Sequence, residues 1–439
     1  MARSAPLALV ALLCTACPFP EGTPSGGSAP SPGDGAGAGS SGGGLPIQTP
    51  GGTALCSDDL AATTFRFAAC MCDDAAMTAR VVTTSYSSSD LDAPGAGGGL
   101  AANGDISGSG DFEIGGSLVA GRAVRSAGRW VVSGDLLAGR DLDFSGAGAV
   151  GGDVYVGGDL TAIALDVGGA VHANDDASVF GGGGAVIREA VAVAPPCPCG
   201  DDARLDVAAI VEAAATSNDN AANAIDQHGL RDVAGAIDLV LPPGRFYFSQ
   251  VVAAGAVRLT VSGPTAIFVD GDLALSGMLE VVLDGPDASI DLFIRDDLLS
   301  AAYLELGSVL APSKVRLYVG GSGDIAIAGT AGLGASIFAP DADVTLAGAF
   351  VFNGALVAHS LIHSGALIIN YDSDVLDGAG EDCGLDDDGP TDGDVGTCAS
   401  AADCGNQACV EGACGACASN LDCAAPFACV SGTCIPIAG

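Results

Sequence analysis

Apolar residues return at every sixth position through the middle of the chain: Leu100, Ile106, Phe112, Leu118, Val124, Trp130, Leu136, Leu142, Val154 and Leu160 share one register, broken only by Gly148. Two residues before each stands a glycine, from Gly98 to Gly158, except at Arg122 and Arg140. Six residues are too few for a helical repeat. They suffice for a short strand and a corner, where glycine accepts backbone angles that other residues resist. Three strands and three corners make an 18-residue turn, and Gly116-Ser117-Leu118, Gly134-Asp135-Leu136 and Gly152-Asp153-Val154 recur at that spacing. The pattern predicts an all-β chain built as a parallel β-helix, a triangular solenoid of either hand, with the sixth-position side chains stacked inside. Trp130 falls in that interior register, and the aspartates of the recurring "GD" corners (Asp135, Asp159, Asp272) read as residues hydrogen-bonding their own turn.

The register stops at "PPCPCG". The following "DDARLDVAAIVEAAATSNDNAANAI" places Leu205, Ile210, Val211 and Ala214 on one helical face, with Asp201 or Asp202 as cap. This interrupting amphipathic helix is expected to lie across an end of the solenoid and cover its open strand edges. Strands resume near Asp238 and continue, with insertions, to Val375. "IFAPDADVTLAGAFVFNGALVA" belongs to them, with Asp341, Gly348 and Gly354 near corners and Phe350 or Phe352 inside. Upstream, the alternating "TFRFA" predicts a strand. The organisation is a signal over 1–16, a Pro/Gly/Ser tether over 17–53, a Cys-bearing entry over 54–96, hexads over 97–196, and helix and connection over 197–235. A second β-helical part over 236–376, an acidic linker over 377–397 and a disulfide-rich module over 398–439 complete it.

Composition narrows the function. Hydrophobic residues make up 49% of the chain, enough for a core, but aromatics only 5%, which suits tightly wound strands. A net charge of −38 repels phosphates and argues against nucleic acid as partner. "MARSAPLALVALLCTAC" has one positive charge, a short apolar core and small residues before Cys17, too short to span a bilayer as a mature helix. An exported chain has oxidised cysteines, and setting aside Cys14 and Cys17 leaves an even number to pair. Cys398, Cys404, Cys409, Cys414, Cys417, Cys423, Cys429 and Cys434 form two similar runs with too little apolar content for a core, hence a disulfide scaffold. Cys56, Cys70, Cys72, Cys197, Cys199 and Cys383 are further candidates, with connectivity open. In the acidic linker Asp386, Asp387, Asp388, Asp392 and Asp394 offer oxygen ligands for calcium, although their spacing fits no defined loop; no other cofactor is indicated.

Several of these motifs resemble known families. The N-terminus resembles a bacterial lipoprotein signal, which implies a lipidated Cys17 holding the chain at the outer membrane or cell surface. From Cys56 to Val375, "PPCPCG", "LPPGRFYF", "AIFVDGDLALSG", "VRLYVGGSGDIAIAG" and "INYDSDV" resemble an uncharacterised Gly-rich β-helical domain of exported bacterial surface and pilus-type proteins. That domain has no established activity. Relatives often carry a cysteine where Pro242-Pro243 stand, so the disulfide implied there is missing. The hexads resemble bactofilin coils, and the C-terminal runs are similar to Dickkopf-type N-terminal repeats.

Three places hold candidate chemistry. Asp270, Asp272, Asp296 and Asp297 with Arg295 or Arg258 offer material for a carbohydrate lyase or glycosidase. His359 and His363 have helical metal-ligand spacing but lie in strand sequence. "GGSGD" at Gly320–Asp324 reads as a corner. The balance favours a non-enzymatic cell-surface lipoprotein, structural and adhesive, that displays the Cys-rich module to a surface polysaccharide or protein. A secreted carbohydrate-active enzyme and a self-assembling envelope scaffold are the alternatives.

Overall fold

Glycine corners and sixth-position apolar residues produce strands of three or four residues that pair in parallel. The computed structural model describes residues 44–49, 54–91, 95, 97–200, 204–300, 304–306, 310–328, 331–378 and 383. It also describes the strands Ala408–Val410, Ala413–Gly415, Phe427–Val430 and Thr433–Pro436. The chain is mostly β, with two α-helices among the described residues, α1 (Ser57–Thr64) and α2 (Val207–Ala214). Leu100 lies opposite Leu118, Leu118 opposite Leu136 and Leu136 opposite Val154, 18 residues per step, while Ile106–Gly108 and Phe112–Ile114 found two further ladders. The sixth-position residues are buried as expected, Leu118, Val124, Leu136 and Leu142 completely. Trp130 packs on Phe112 at 4.3 Å and edge-on to Phe144 at 5.7 Å. Gly148, the break in register, leaves room for that group: a Cβ there would lie 2.8 Å from the Phe144 ring.

The corner aspartates bond differently from the sequence reading. The Asp135 carboxylate accepts from the backbone N–H of Asp153 at 2.8 Å, Asp153 from Ala170 at 2.7 Å, and Asp141 from Asp159 at 3.0 Å. Each therefore ties its corner to the next layer rather than to its own turn, because parallel stacking sets the following N–H directly over the carboxylate.

The order of layers in the stack is not the order of the chain. Thirteen strands form one unbroken ladder, here ladder one: Gly244–Phe248, Pro264–Val269, Ser289–Ile294, Val315–Val319, the starts of Ser336–Asn353 and Leu356–Asp372, then Ala69–Met71, Leu100–Ala102, Leu118–Ala120, Leu136–Ala138, Val154–Val156, Ala170–Ala173 and Ala185–Arg188. At about 4.8 Å per strand this ladder is roughly 60 Å long. The chain enters it in the middle at Ala69, winds outward to Arg188, crosses back, starts again at the far end near Ile237 and winds inward. Its last long strand, Leu356–Asp372, closes on the first strands Ala69–Met71, Ala75–Met77 and Arg80–Tyr86.

Ladder one is buried on both faces. Ile267, Leu292, Leu317, Leu356, Leu100, Leu118 and Leu136 fill one side, and Phe268, Phe293, Tyr318, Phe338, Cys70, Val119, Leu137 and Tyr155 are buried on the other. The second side is roofed. Residues 191–199 descend across the layers about two residues per layer, with Val191 beside Gly157, Val193 beside Gly139 and the Cys197 backbone paired twice to the Asn103 side chain. The disulfides Cys70–Cys197 and Cys72–Cys199 fasten this segment. Prolines at 195, 196 and 198 suit it, because it belongs to no ladder that would need their N–H groups. α1 and α2 roof the remainder; α2 packs on the strands Gly244–Phe248, Pro264–Val269 and Ser289–Ile294.

Three expectations change here. α2 lies along a flank rather than across an end, and its cap is Asp206, whose carboxylate accepts from the Ala209 N–H at 2.9 Å; Asp201 and Asp202 lie outside the described residues. The end it was expected to cover is closed instead by Asp219–Val233, where the Asn220 amide pairs with both backbone groups of Tyr247, at 2.7 and 2.9 Å, as a strand residue would. "TFRFA" is not a strand: it follows α1, and Phe65 and Phe67 are both driven into the core. At the opposite end Arg188 occupies the register position that continues Ala138, Val156 and Ala173, and it donates to the carbonyls of Asn174 and Ala177 at 2.8 and 2.7 Å.

Close stacking at the corners predicts a specific sensitivity. A Cβ on Gly128 would sit 1.9 Å from the Gly110 carbonyl oxygen, whereas one on Gly200 meets nothing within 4 Å. Gly128→Ala is expected to cost about 1–3 kcal/mol by overpacking, read by urea unfolding, and Gly200→Ala to cost much less.

Candidate functional site

The acids nominated by sequence separate into two kinds. Asp272 and Asp297 are corner residues, accepting from the N–H of Asp297 at 3.1 Å and of Gly323 at 2.7 Å. Asp270 differs, accepting from the Tyr247 hydroxyl at 2.6 Å and from Arg295 at 2.7 Å. Burial works to raise the Asp270 pKa, but the Tyr247 and Arg295 hydrogen bonds outweigh it and hold the carboxyl below its ordinary value. Tyr247 is pushed up to about 12 by burial and by that carboxylate, so it stays a donor at neutral pH. Asp296 is exposed beside them. Arg258 lies in another ladder and pairs with Glu280 across neighbouring strands at 3.3 Å. Five of the six nominated residues, all but Arg258, thus share one corner region, but two of their carboxylates, Asp272 and Asp297, hold the layers together.

A second group of charges lies under the roof. Asp291 and Arg316 occupy opposed positions on neighbouring strands and form a bidentate pair at 2.6 and 2.8 Å, both almost completely buried. Arg316 also donates to Asp58 of α1 at 2.5 Å, fixing that helix to the sheet. Burial pushes the Asp291 carboxyl up to about 6 against the lowering pull of Arg316. Beside it a cleft of about 410 Å³ is lined by Asp58, Ser88, Ser313, Lys314 and Asp374 together with Pro286, Ala311 and Val375.

A third feature escaped the sequence. Between α1, residues 195–198 and the approach to α2 a cleft of about 450 Å³ contains Arg66. Burial lowers the Arg66 pKa, and the guanidinium still keeps its charge at neutral pH. The available signal was an arginine between two phenylalanines that are both buried.

The other candidates fall as follows. His359 Nδ1 is 2.8 Å from Asp343 Oδ1, while His363 faces the interior between Leu346 and Met77 with neither ring nitrogen partnered among the described residues. Among the described residues no His, Cys, Asp or Glu groups of three are placed to hold a metal, and no helix is long and apolar enough to cross a membrane. Cys17, Asp386, Asp387, Asp388, Asp392, Asp394, Cys398, Cys404, Cys417 and Cys423 lie outside the described residues. Cys409 and Cys414 are opposed in one antiparallel hairpin, Cys429 and Cys434 in the other. Cys56 is bonded to Cys383, so the six cysteines between residues 56 and 383 form three bridges.

Two predictions follow from the buried charges. Burial holds His363 below its ordinary 6.5. The folded chain therefore stays neutral there while the unfolded chain gains a proton, and stability is full above that pH and falls below it. His363→Leu should raise stability by about 1–3 kcal/mol and remove this loss, measured as the difference in thermal midpoint from the parent between mildly alkaline and mildly acidic pH. Asp291 acts in the opposite sense near pH 6 but is common to both proteins. Arg316→Leu strands a buried carboxylate and should cost about 3–5 kcal/mol, with Asp291→Leu/Arg316→Leu recovering much of it in urea unfolding.

Residues 201–377 match the family model of a domain of unknown function, DUF7305. This span holds α2 and the inward-winding half of the stack, and is shorter than the resemblance read from Cys56 to Val375. No curated protein and no solved structure matches the chain.

Proposed function

We propose that the chain is an exported, lipid-anchored surface protein with a structural and adhesive role. Its body is a triangular parallel β-helix, and residues 398–439 form a disulfide-linked binding module for a surface polysaccharide or protein. The observation that carries this reading is the set of three disulfides, one joining residues 327 apart and two joining residues 127 apart, since such bonds persist in oxidising compartments. The 18-residue register steps support the β-helix, and the hexads support its likeness to bactofilin coils; the Dickkopf likeness rests on cysteine spacing alone. Lipidation at Cys17 and location at the outer membrane or cell surface rest on the signal sequence. Closure of one end by Asp219–Val233 counts against the self-assembling scaffold there, while the opposite edge strand Ala185–Arg188 leaves Val186 and Ile187 exposed.

A second reading, a carbohydrate-active enzyme, is favoured by one arrangement, the Tyr247–Asp270–Arg295 chain. The two readings part experimentally. Cys17→Ser should abolish acyl labelling and release the chain from membranes, and unchanged retention would refute the anchor. Turnover of any member of a polysaccharide panel, lost in Asp270→Asn, would favour the enzyme.

A further inference from the structure

The roof over ladder one is interrupted where its three pieces meet. The cleft of about 450 Å³ there is walled by Leu60, Pro196, Leu205 and Phe338, with Thr63 and Arg204 as polar neighbours of Arg66. Arg204 is neutralised by Asp341. Arg66 is not: half-buried, it makes no hydrogen bond or ion pair among the described residues, in a chain where acids outnumber bases 53 to 15. Arg122, Arg245, Arg295 and Arg316 each hold a carboxylate. A guanidinium lining a half-apolar cleft, with no anion beside it among the described residues, is half of a bidentate carboxylate site, and the volume suits a small organic molecule. Because one positive charge is uncompensated among the described residues, a monoanion balances it, whereas a phosphate dianion would bring a second charge without a partner.

We infer that this cleft binds a small monocarboxylate, its head group on Arg66 and its apolar body against Leu60, Pro196, Leu205 and Phe338. This site is distinct from the module assigned to adhesion and from the corner acids. The carboxylate has two possible sources, a free short-chain acid or the C-terminus of a peptide.

Isothermal titration of the full chain tests this. The probes are propanoate, octanoate, 3-phenylpropanoate and a pentapeptide ending in leucine, with octanamide and inorganic phosphate as controls. Saturable one-to-one binding of at least one carboxylate is expected, about tenfold or more tighter than either control. Arg66→Gln should weaken it about tenfold or more with an unchanged thermal midpoint, and Arg66→Lys should retain part of it. Thr63→Trp, an exposed change at the cleft, should block binding with Arg66 intact and serves if Arg66→Gln does not fold. Binding of the peptide alone supports the site and assigns its source to a chain end; binding of the free acids assigns it to small metabolites. Absence of saturable binding by every carboxylate at millimolar concentration, octanamide binding as well as octanoate, or equal binding by Arg66→Gln and Thr63→Trp overturns the proposal.

Discussion

A parallel ladder with apolar side chains on both faces cannot leave either face in water, and this chain has one running the full length of its stack. Shorter ladders lie on the inner side: two in the hexad half, and in the other half a separate four-stranded and a separate three-stranded sheet. The outer face needs a separate cover about 60 Å long, and few elements are available to supply it. The route of the chain meets this demand: after winding outward it returns along the uncovered face, so the connection between the halves is also half of the roof. The prolines at 195, 196 and 198, the bond from Asn103 to Cys197 and two disulfides in tandem all serve a segment that lies flat without joining a ladder. α1 and α2 finish the cover, and Arg316 fixes α1 by reaching from the roofed face of ladder one to Asp58.

The interior of the stack was legible in the sequence, and its exterior was not. Sixth-position residues repeat because every layer must bury the same three columns, which makes Leu100, Leu118, Leu136 and Val154 visible as a series. The roofed face repeats only every eighteenth residue, as Ala101, Val119, Leu137 and Tyr155, and those positions are diluted by Ser107, Arg125 and Asp143 on faces open to solvent. A threefold longer period carries a threefold weaker signal over the same length. The return route is written in no local pattern, since pairing Ala69 with Leu356 depends on where a distant strand ends. Site chemistry was legible in the same measure. The corner role of Asp272 followed from repetition, whereas Arg66 was hidden by being single.

The span matched to the family of unknown function and the folded unit differ in extent. Residues 201–377 end where the strand Leu356–Asp372 presents a full edge, and in this chain that edge is taken by Ala69–Met71, Ala75–Met77 and Arg80–Tyr86. Hexads and matched domain are thus two stacks sharing one seam. The seam sits beside the buried His363 on its inner side, so a side chain with both ring nitrogens unpartnered among the described residues lies where the two halves meet.

The disulfide between Cys56 and Cys383 has a mechanical meaning. It holds the entrance and the exit of the stack together, with Cα atoms 5.4 Å apart across 327 residues of sequence. Tension applied between Cys56 and Cys383 themselves passes through a single covalent link and bypasses ladder one. The stack is wired in parallel with that link rather than in series with it. It hangs from the chain as a side arm, shielded from forces that would peel a solenoid strung between its own ends.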